Sequence, residues 1–342
     1  MRLGPIAPFA GVRRTGPDLW LDPGRERQPD EGLPHEGRSL LSLNKVLDMQ
    51  TLLRRQSRWL TPTLLIAPAI ALFFTVILLS AVRSVWISFH EWDGFGPMVW
   101  IGLGNYVELY SDPQFYVSLK NNLIWLIMFM AAPPIGLAIA LLVNQKIAGM
   151  RFLKSLFFIP LVLASVTVGV VFTWVYTPEF GLLALIFRAF GAVAPAVLSD
   201  EHFVTFAIVI AALWPQITFC MVLYLAGLNN LSEELIGAGR VDGARGWNML
   251  RHIVLPQLAQ VTFIAIAVTV VGALRSFDMI SVMTAGGPFG SSSVLAYQMY
   301  EQSIFSYRFG YGAAIASVLF VIMAVFIAWY LTHIIRSEER GG

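Results

Sequence analysis

The chain has one cysteine, four lysines and no histidine pair at helical spacing, and each scarcity closes off a chemistry. Cys220 alone can form neither an intrachain disulfide nor a multi-cysteine metal site, so it reads as a small packing residue in an apolar run. His35, His90, His202, His252 and His333 are scattered, with none four residues from another, so a helix-borne metal site has no ligands. The lysines follow Asn44, Leu119, Gln145 and Leu153. A phosphate-cradling loop needs Gly before its Lys and Ser or Thr after it. The chain therefore carries no ATP site of that kind, and neither cofactor nor metal is expected in it. An integral-membrane enzyme would need Ser with His, or a metal-binding pair, at one membrane face, and none is present. Nucleic acid is not an expected partner.

Charge is scarce as well. Only 13% of residues are charged against 57% hydrophobic, and the mean hydropathy is +0.68, well outside the balance of soluble domains. Apolar stretches long enough to cross a bilayer as helices fall at residues 63–87, 122–143, 156–176, 203–228, 258–282 and 311–333. These are not the short alternating segments of a barrel. The expectation is an all-α integral membrane protein of six transmembrane helices, in contact with lipid. Basic residues favour the cytoplasmic side. With both termini inside, the inner segments hold Arg54, Arg55, Arg58, Lys146, Arg151, Lys154, Arg240, Arg245, Arg251, Arg336 and Arg340, and the outer ones only Arg83, Lys120, Arg188 and Arg308. Residues 1–50 are rich in Pro, Gly, Arg and Glu with little apolar periodicity, so a disordered cytoplasmic tail is expected there and the transmembrane domain over 51–342. A regulatory role is the sharper reading of the tail, while Met49 offers an alternative translation start.

One polar stretch, residues 231–256, interrupts the apolar chain and falls on the cytoplasmic side. Ser232 is a good N-cap, and Glu233 and Glu234 sit in the first turn, where the helix dipole favours negative charge. Leu231, Leu235, Ala238 and Val241 recur at spacings of three and four and share a face. Asp242-Gly243 supplies turn chemistry, with Gly243 free to take positive φ before Ala244. A second short helix, 247–253, is expected to end at Pro256. Most such loops simply join two spans in solvent. The sharper reading is a docking surface.

The order Gly237-Ala238-Gly239, Gly243, then Ile253-Val254-Leu255-Pro256 resembles the cytoplasmic coupling (EAA) loop of ABC-transporter membrane subunits. Two positions depart from that pattern: Gly237 stands where the family has Glu, and Gly239 where it has its second Ala. The missing carboxylate removes an expected contact with a basic residue of the ATPase, for which Glu233 or Glu234 is the candidate replacement. Asn121-Asn122, Phe157-Phe158-Ile159-Pro160, Trp174, Phe277, Thr284-Ala285-Gly286-Gly287-Pro288 and Tyr307 through Ala314 extend the resemblance to carbohydrate-uptake permeases of the maltose and glycerol-phosphate type, from about residue 60 onward. The resemblance implies a type I ABC importer fold with a cytoplasmic coupling helix in the inner membrane. It also implies a second homologous permease subunit, two cytoplasmic ATP-binding subunits holding ATP and Mg, and an extracytoplasmic solute-binding protein facing residues 91–120 and 286–308. Coupling to the ATPase would then pass through Glu233, Glu234, Leu235, Ala238, Val241, Asp242, Gly243 and Ala244.

Carried over by local alignment, the same resemblance puts Ser165, Trp214, Gln216, Phe219, Thr269 and Ser276 near the sugar path. Trp214 is equally an interfacial anchor. Arg275 and Asp278, three residues apart, read either as an internal ion pair or as polar groups on the path, since charge in hydrocarbon is costly. Arg275 would attract an anionic substituent too, so charge alone leaves the substrate open. A self-sufficient transporter coupled to ions through Asp278 is the alternative, but the inverted repeats it calls for are not visible in the sequence.

Overall fold

A computed structural model describes residues 62–145 and 149–341, with side chains for all of these except Arg151 and residues 333–341. The tail expected over 1–50, together with Arg54, Arg55, Arg58 and Lys146, lies outside the described residues. The chain divides into two units, Met1–Leu72 and Phe73–Gly342. In the first, residues 62–72 are helical and every side chain is exposed. The second is all-α apart from one two-stranded ribbon, β1 (His90–Glu91) against β2 (Val99–Trp100), with His90 opposite Trp100.

Among the described residues four helices are long and apolar enough to cross a membrane: Pro62–Ile87 (α1), Pro113–Val143, Val204–Asn229 (α8, preceded by the short α7, Leu182–Ala189) and the Phe309–Thr332 part of α14 (Phe309–Gly341). The second runs through α3 (Pro113–Phe129) and α4 (Ala132–Val143), preceded by α2 (Gly104–Ser111). The other two expected spans are not continuous. Residues 156–176 belong to α5 (Met150–Val162) and α6 (Ser165–Val175), bent by 101° at a break where Leu163 and Ala164 are extended. Pro160, one turn before that break, removes an amide donor and loosens the ladder. Residues 258–282 likewise divide. A helix α10 (Gly246–Gln257) is bent by 72° from α11 (Ala259–Leu274), and Arg275–Phe277 then separate α11 from a short α12 (Asp278–Met283). Pro256 does not end the preceding helix as expected. It lies inside α10, and the break comes at Leu258. Six spans result if each bent pair counts as one.

Helix α8 is buried along most of its length and organises the bundle. Gly136 of α4 lets the two backbones meet, because a Cβ there would come within 2.6 Å of Cys220 Cβ and 2.8 Å of the Met221 amide nitrogen. Cys220 is fully buried at this crossing. A second layer of apolar packing joins α3, α11, α12, α13 (Leu295–Tyr300) and α14.

The segment 286–311 is bound to the rest by side-chain hydrogen bonds. Asn121 Nδ2 donates to the Ser291 and Ser293 carbonyls at 2.6 and 2.8 Å, and Asn122 Oδ1 accepts from the Leu295 amide at 2.9 Å. Asp112 caps α3 through the Gln114 amide and also accepts from Tyr311 and Gln298 at 2.7 and 3.0 Å. Arg308 donates to both oxygens of Glu108 at 2.6 Å and lies over the Tyr311 ring.

Candidate functional site

The 231–256 elbow has the geometry that its sequence dictates. Ser232 Oγ accepts from the Leu235 amide at 3.4 Å and starts α9 (Glu233–Val241), with Glu233 and Glu234 exposed in its first turn. Asp242 follows the helix, and Gly243 takes φ +83°, the left-handed region where a side chain would be strained. The Ala244 amide then donates to the Gly239 carbonyl at 2.8 Å and closes the turn. Gly239 is buried beneath Ile253 of α10, and a Cβ there would collide with that side chain. Glycine rather than alanine at 239 thus permits the close approach of α9 and α10. At Gly237 a Cβ would meet nothing within 4 Å, so the space for a longer side chain is open. Leu235, Ala238 and Val241 form an exposed apolar face, Val241 with 88% of its surface accessible, and Trp247 of α10 is exposed beside them in sequence. Burying a Val or Leu side chain is worth about 1.5–3 kcal/mol.

A second site lies within the bundle. A cavity of about 350 Å³ is enclosed by α3, the α5–α6 bend, α8, and α11 with the break that follows it. One of the two bends and the later interruption of α11 line it: Leu163 and Ser165 on one side, Arg275 to Asp278 on the other, while the bend at Leu258 lies outside the lining. Irregular backbone at membrane depth is tolerated where it borders a cavity rather than lipid, which accounts for breaks that hydropathy alone does not reveal. Pro215 of α8 and Pro160 of α5 also line the cavity, and each leaves a helical carbonyl without its usual donor nearby.

The polar groups of the cavity are few and defined. Gln216 Nε2 donates to Thr269 Oγ1 at 2.9 Å, and Thr269 is fully buried. Gln216 Oε1 lies on the side of the cavity-lining Gly272, 3.8 Å from where its Cβ would stand. Ser276 Oγ donates to the Gly272 carbonyl at 3.2 Å. Arg275 and Asp278 are exposed, and neither joins an ion pair among the described residues, so the reading of the two as a mutual pair is corrected. The cause is the end of α11 at Leu274: the two residues occupy a break and a new helix start rather than one face of one helix.

A family model described as the binding-protein-dependent transport system inner membrane component matches residues 122–337. The chain belongs to this family. It is 33% identical over 281 residues to a probable ABC transporter permease protein of Pyrococcus horikoshii, covering 81% of this chain and 96% of that one. The alpha-glucoside transport system permease protein AglF of Rhizobium meliloti is 31% identical over 292 residues, covering 82% and 84%. The solved structure of a bacterial ABC transporter involved in the import of the acidic polysaccharide alginate matches with a TM-score of 0.72 at 19% identity, covering 83% and 98%, and so shares the fold. This is a multi-pass inner-membrane permease subunit of an ABC importer, with the type I importer fold.

Of the eight residues of the permease expected along a substrate path, six line the one cavity: Ser165, Gln216, Phe219, Arg275, Ser276 and Asp278. Thr269 stands behind Gln216 and holds its amide. Trp214 is outside the lining, where it packs on Phe172 with ring centroids 5.9 Å apart. The sequence reading passed over Trp125, which is 1% exposed, lines the cavity, and has an indole N–H without an acceptor among the described residues. Its signal was present: Asn121, Trp125 and Phe129 recur every four residues along α3, a polar-to-aromatic face in an otherwise apolar helix. Phe129 lines the cavity as well.

Proposed function

We propose that this permease subunit carries a sugar, polyol or sugar derivative through the membrane, delivered by a solute-binding protein and driven by ATP hydrolysis on two partner subunits docked at the 231–256 elbow. A homologous second permease completes the pathway, and both termini are cytoplasmic. The observation that carries the reading is the elbow: an apolar face of Leu235, Ala238 and Val241 left exposed beside a rigid left-handed turn at Gly243. Glu233, Glu234, Asp242 and Ala244 frame that face, with the two glutamates placed to meet a basic residue of the ATPase in place of the carboxylate missing at Gly237. A nearly rigid α9–α10 lever, pinned by Gly239 against Ile253, transmits closure of the ATPases to α11, whose far end borders the cavity. Such coupling requires one element that both sites bias. The alpha-glucoside relative supports a carbohydrate substrate, and so does a lining that combines aromatic faces with a small set of polar groups.

Reconstitution provides the test. Vesicles holding this chain with its second permease, ATPases and binding protein take up the cognate sugar only with ATP. Solute movement by the chain alone, with no companion present, would refute the proposal.

A further inference from the structure

Resting on the reading of the cavity as the substrate path, we infer that it selects a neutral, hydroxyl-bearing ligand over an anionic one of the same size, despite the arginine in its wall. The fold does not decide this question, because importers of this architecture handle acidic sugars too. The lining does. Arg275 and Asp278 are its two formal charges, and they cancel. Both are exposed in the lining and neither joins an ion pair among the described residues, so both charges are open to a ligand.

The hydrogen-bonding inventory points the same way. Three cavity groups present acceptors that need a proton from the ligand. Gln216 Nε2 directs its two protons to Thr269 Oγ1 at 2.9 Å and, weakly, to Cys220 Sγ at 3.9 Å, which turns Oε1 toward the cavity-lining Gly272. Ser276 has committed its proton to the Gly272 carbonyl, which leaves oxygen lone pairs. Asp278 as a carboxylate only accepts. The charged donor is the Arg275 guanidinium; the indole N–H of Trp125 is buried and is not offered to a ligand. A hydroxyl group answers both sets, since it donates one bond and accepts two. A carboxylate, sulfonate or phosphate dianion answers the donor only. It leaves Gln216 Oε1 and Ser276 Oγ without partners and meets Asp278 as a like charge. Thr269 is the positioning residue of this arrangement: it touches no ligand but decides which end of the Gln216 amide does.

The test uses the complete complex of this chain with its companion subunits in nanodiscs. The probes are maltitol and maltobionate, of equal size and differing by one carboxylate, and their dissociation constants are read by saturation-transfer NMR. Maltitol is expected to bind the wild-type complex at least about tenfold more tightly than maltobionate, from like-charge repulsion and unmatched acceptors. Asp278→Asn is expected to bring the two together or invert them, and Arg275→Gln to widen the gap. If Asp278→Asn does not assemble, Arg275→Gln alone reads the same balance from the other side. Thr269→Val frees the Gln216 amide to turn and is expected to narrow the ratio while both probes still bind. Cavity-dependent binding, weakened for both probes by Gln216→Leu, with maltobionate equal to or tighter than maltitol would overturn the charge preference and leave the substrate path standing. Absence of binding, or binding indifferent to Gln216→Leu, would overturn the path itself and the preference with it.

Discussion

Two polar regions of this membrane subunit are built in opposite ways. The 286–311 rim is tied to α3 by Asn121, Asn122 and Asp112, through bonds to its backbone and to the Gln298 and Tyr311 side chains. The 231–256 elbow is ordered chiefly by its own backbone, through a Ser cap, a left-handed glycine and one close helix approach, and it leaves apolar side chains in the open. The elbow is shaped in advance and left unfinished, as expected of a surface that another protein completes. Shape fixed before binding lowers the ordering cost of docking.

Substitutions at each end should therefore fail differently. The largest effect is expected at the turn. Gly243→Val, a β-branched residue at φ +83°, should lower ATP-driven uptake by at least about tenfold while membrane insertion and thermal stability stay near wild type, the local strain being about 1–3 kcal/mol. Gly243→Asn, which tolerates the left-handed region, should restore much of the uptake. A Gly243→Val complex that transports normally would erase the distinction between the regions.

The rim should respond in stability instead. Asn121→Ala removes the Asn121 donor from the Ser293 carbonyl and leaves the Ser291 carbonyl with Thr205 Oγ1 at 3.3 Å, and should cost about 1–3 kcal/mol, seen as a lower melting temperature in detergent. ATPase docking should persist. Arg308→Gln removes an ion pair whose members are each nearly half exposed. Its cost should be at most about 1 kcal/mol and should shrink further in high salt. The smallest effect concerns pH. Asp93 sits in an exposed loop with its carboxyl held below the usual carboxylate range by the Gly96 and Phe95 amides, at 2.7 and 2.9 Å. A depressed folded pKa means that the stabilisation is full above the ordinary aspartate value and is lost as pH falls through the lowered one. Amide exchange at residues 95 and 96 should accelerate only at acid pH, and Asp93→Ala should make it fast at every pH.

Much of the elbow was legible because its signals are local. Capping serine, first-turn glutamates, the Asp-Gly turn and the apolar spacing act within a few residues, and each carries through to the structure at 232–243. The positions of the breaks were not legible. Hydropathy treats 156–176 and 258–282 as uninterrupted because Leu163, Ala164 and Leu258 are apolar. At 163–164 the setting is tertiary, a cavity that lets irregular backbone escape lipid, whereas Leu258 is buried in the apolar packing of α4, α8 and α10. The same blindness kept an Arg275–Asp278 pair among the two readings of these residues, since spacing of three predicts contact only when both share a helix. Residues 165, 216 and 276 were placed by resemblance rather than by physics. Their meeting around one cavity with Trp125 is the geometry on which their proposed role rests.

The account's central claim is that the elbow is covered by a cytoplasmic ATPase. Val241→Cys in a Cys220→Ala background puts a single thiol at the centre of the exposed face, and a membrane-impermeant maleimide reads its accessibility. The prediction is no labelling in intact cells, rapid labelling in inverted vesicles stripped of the ATPase subunits, and protection when those subunits are restored. Labelling from outside the cell, or a thiol that the restored ATPases leave unprotected, would contradict it.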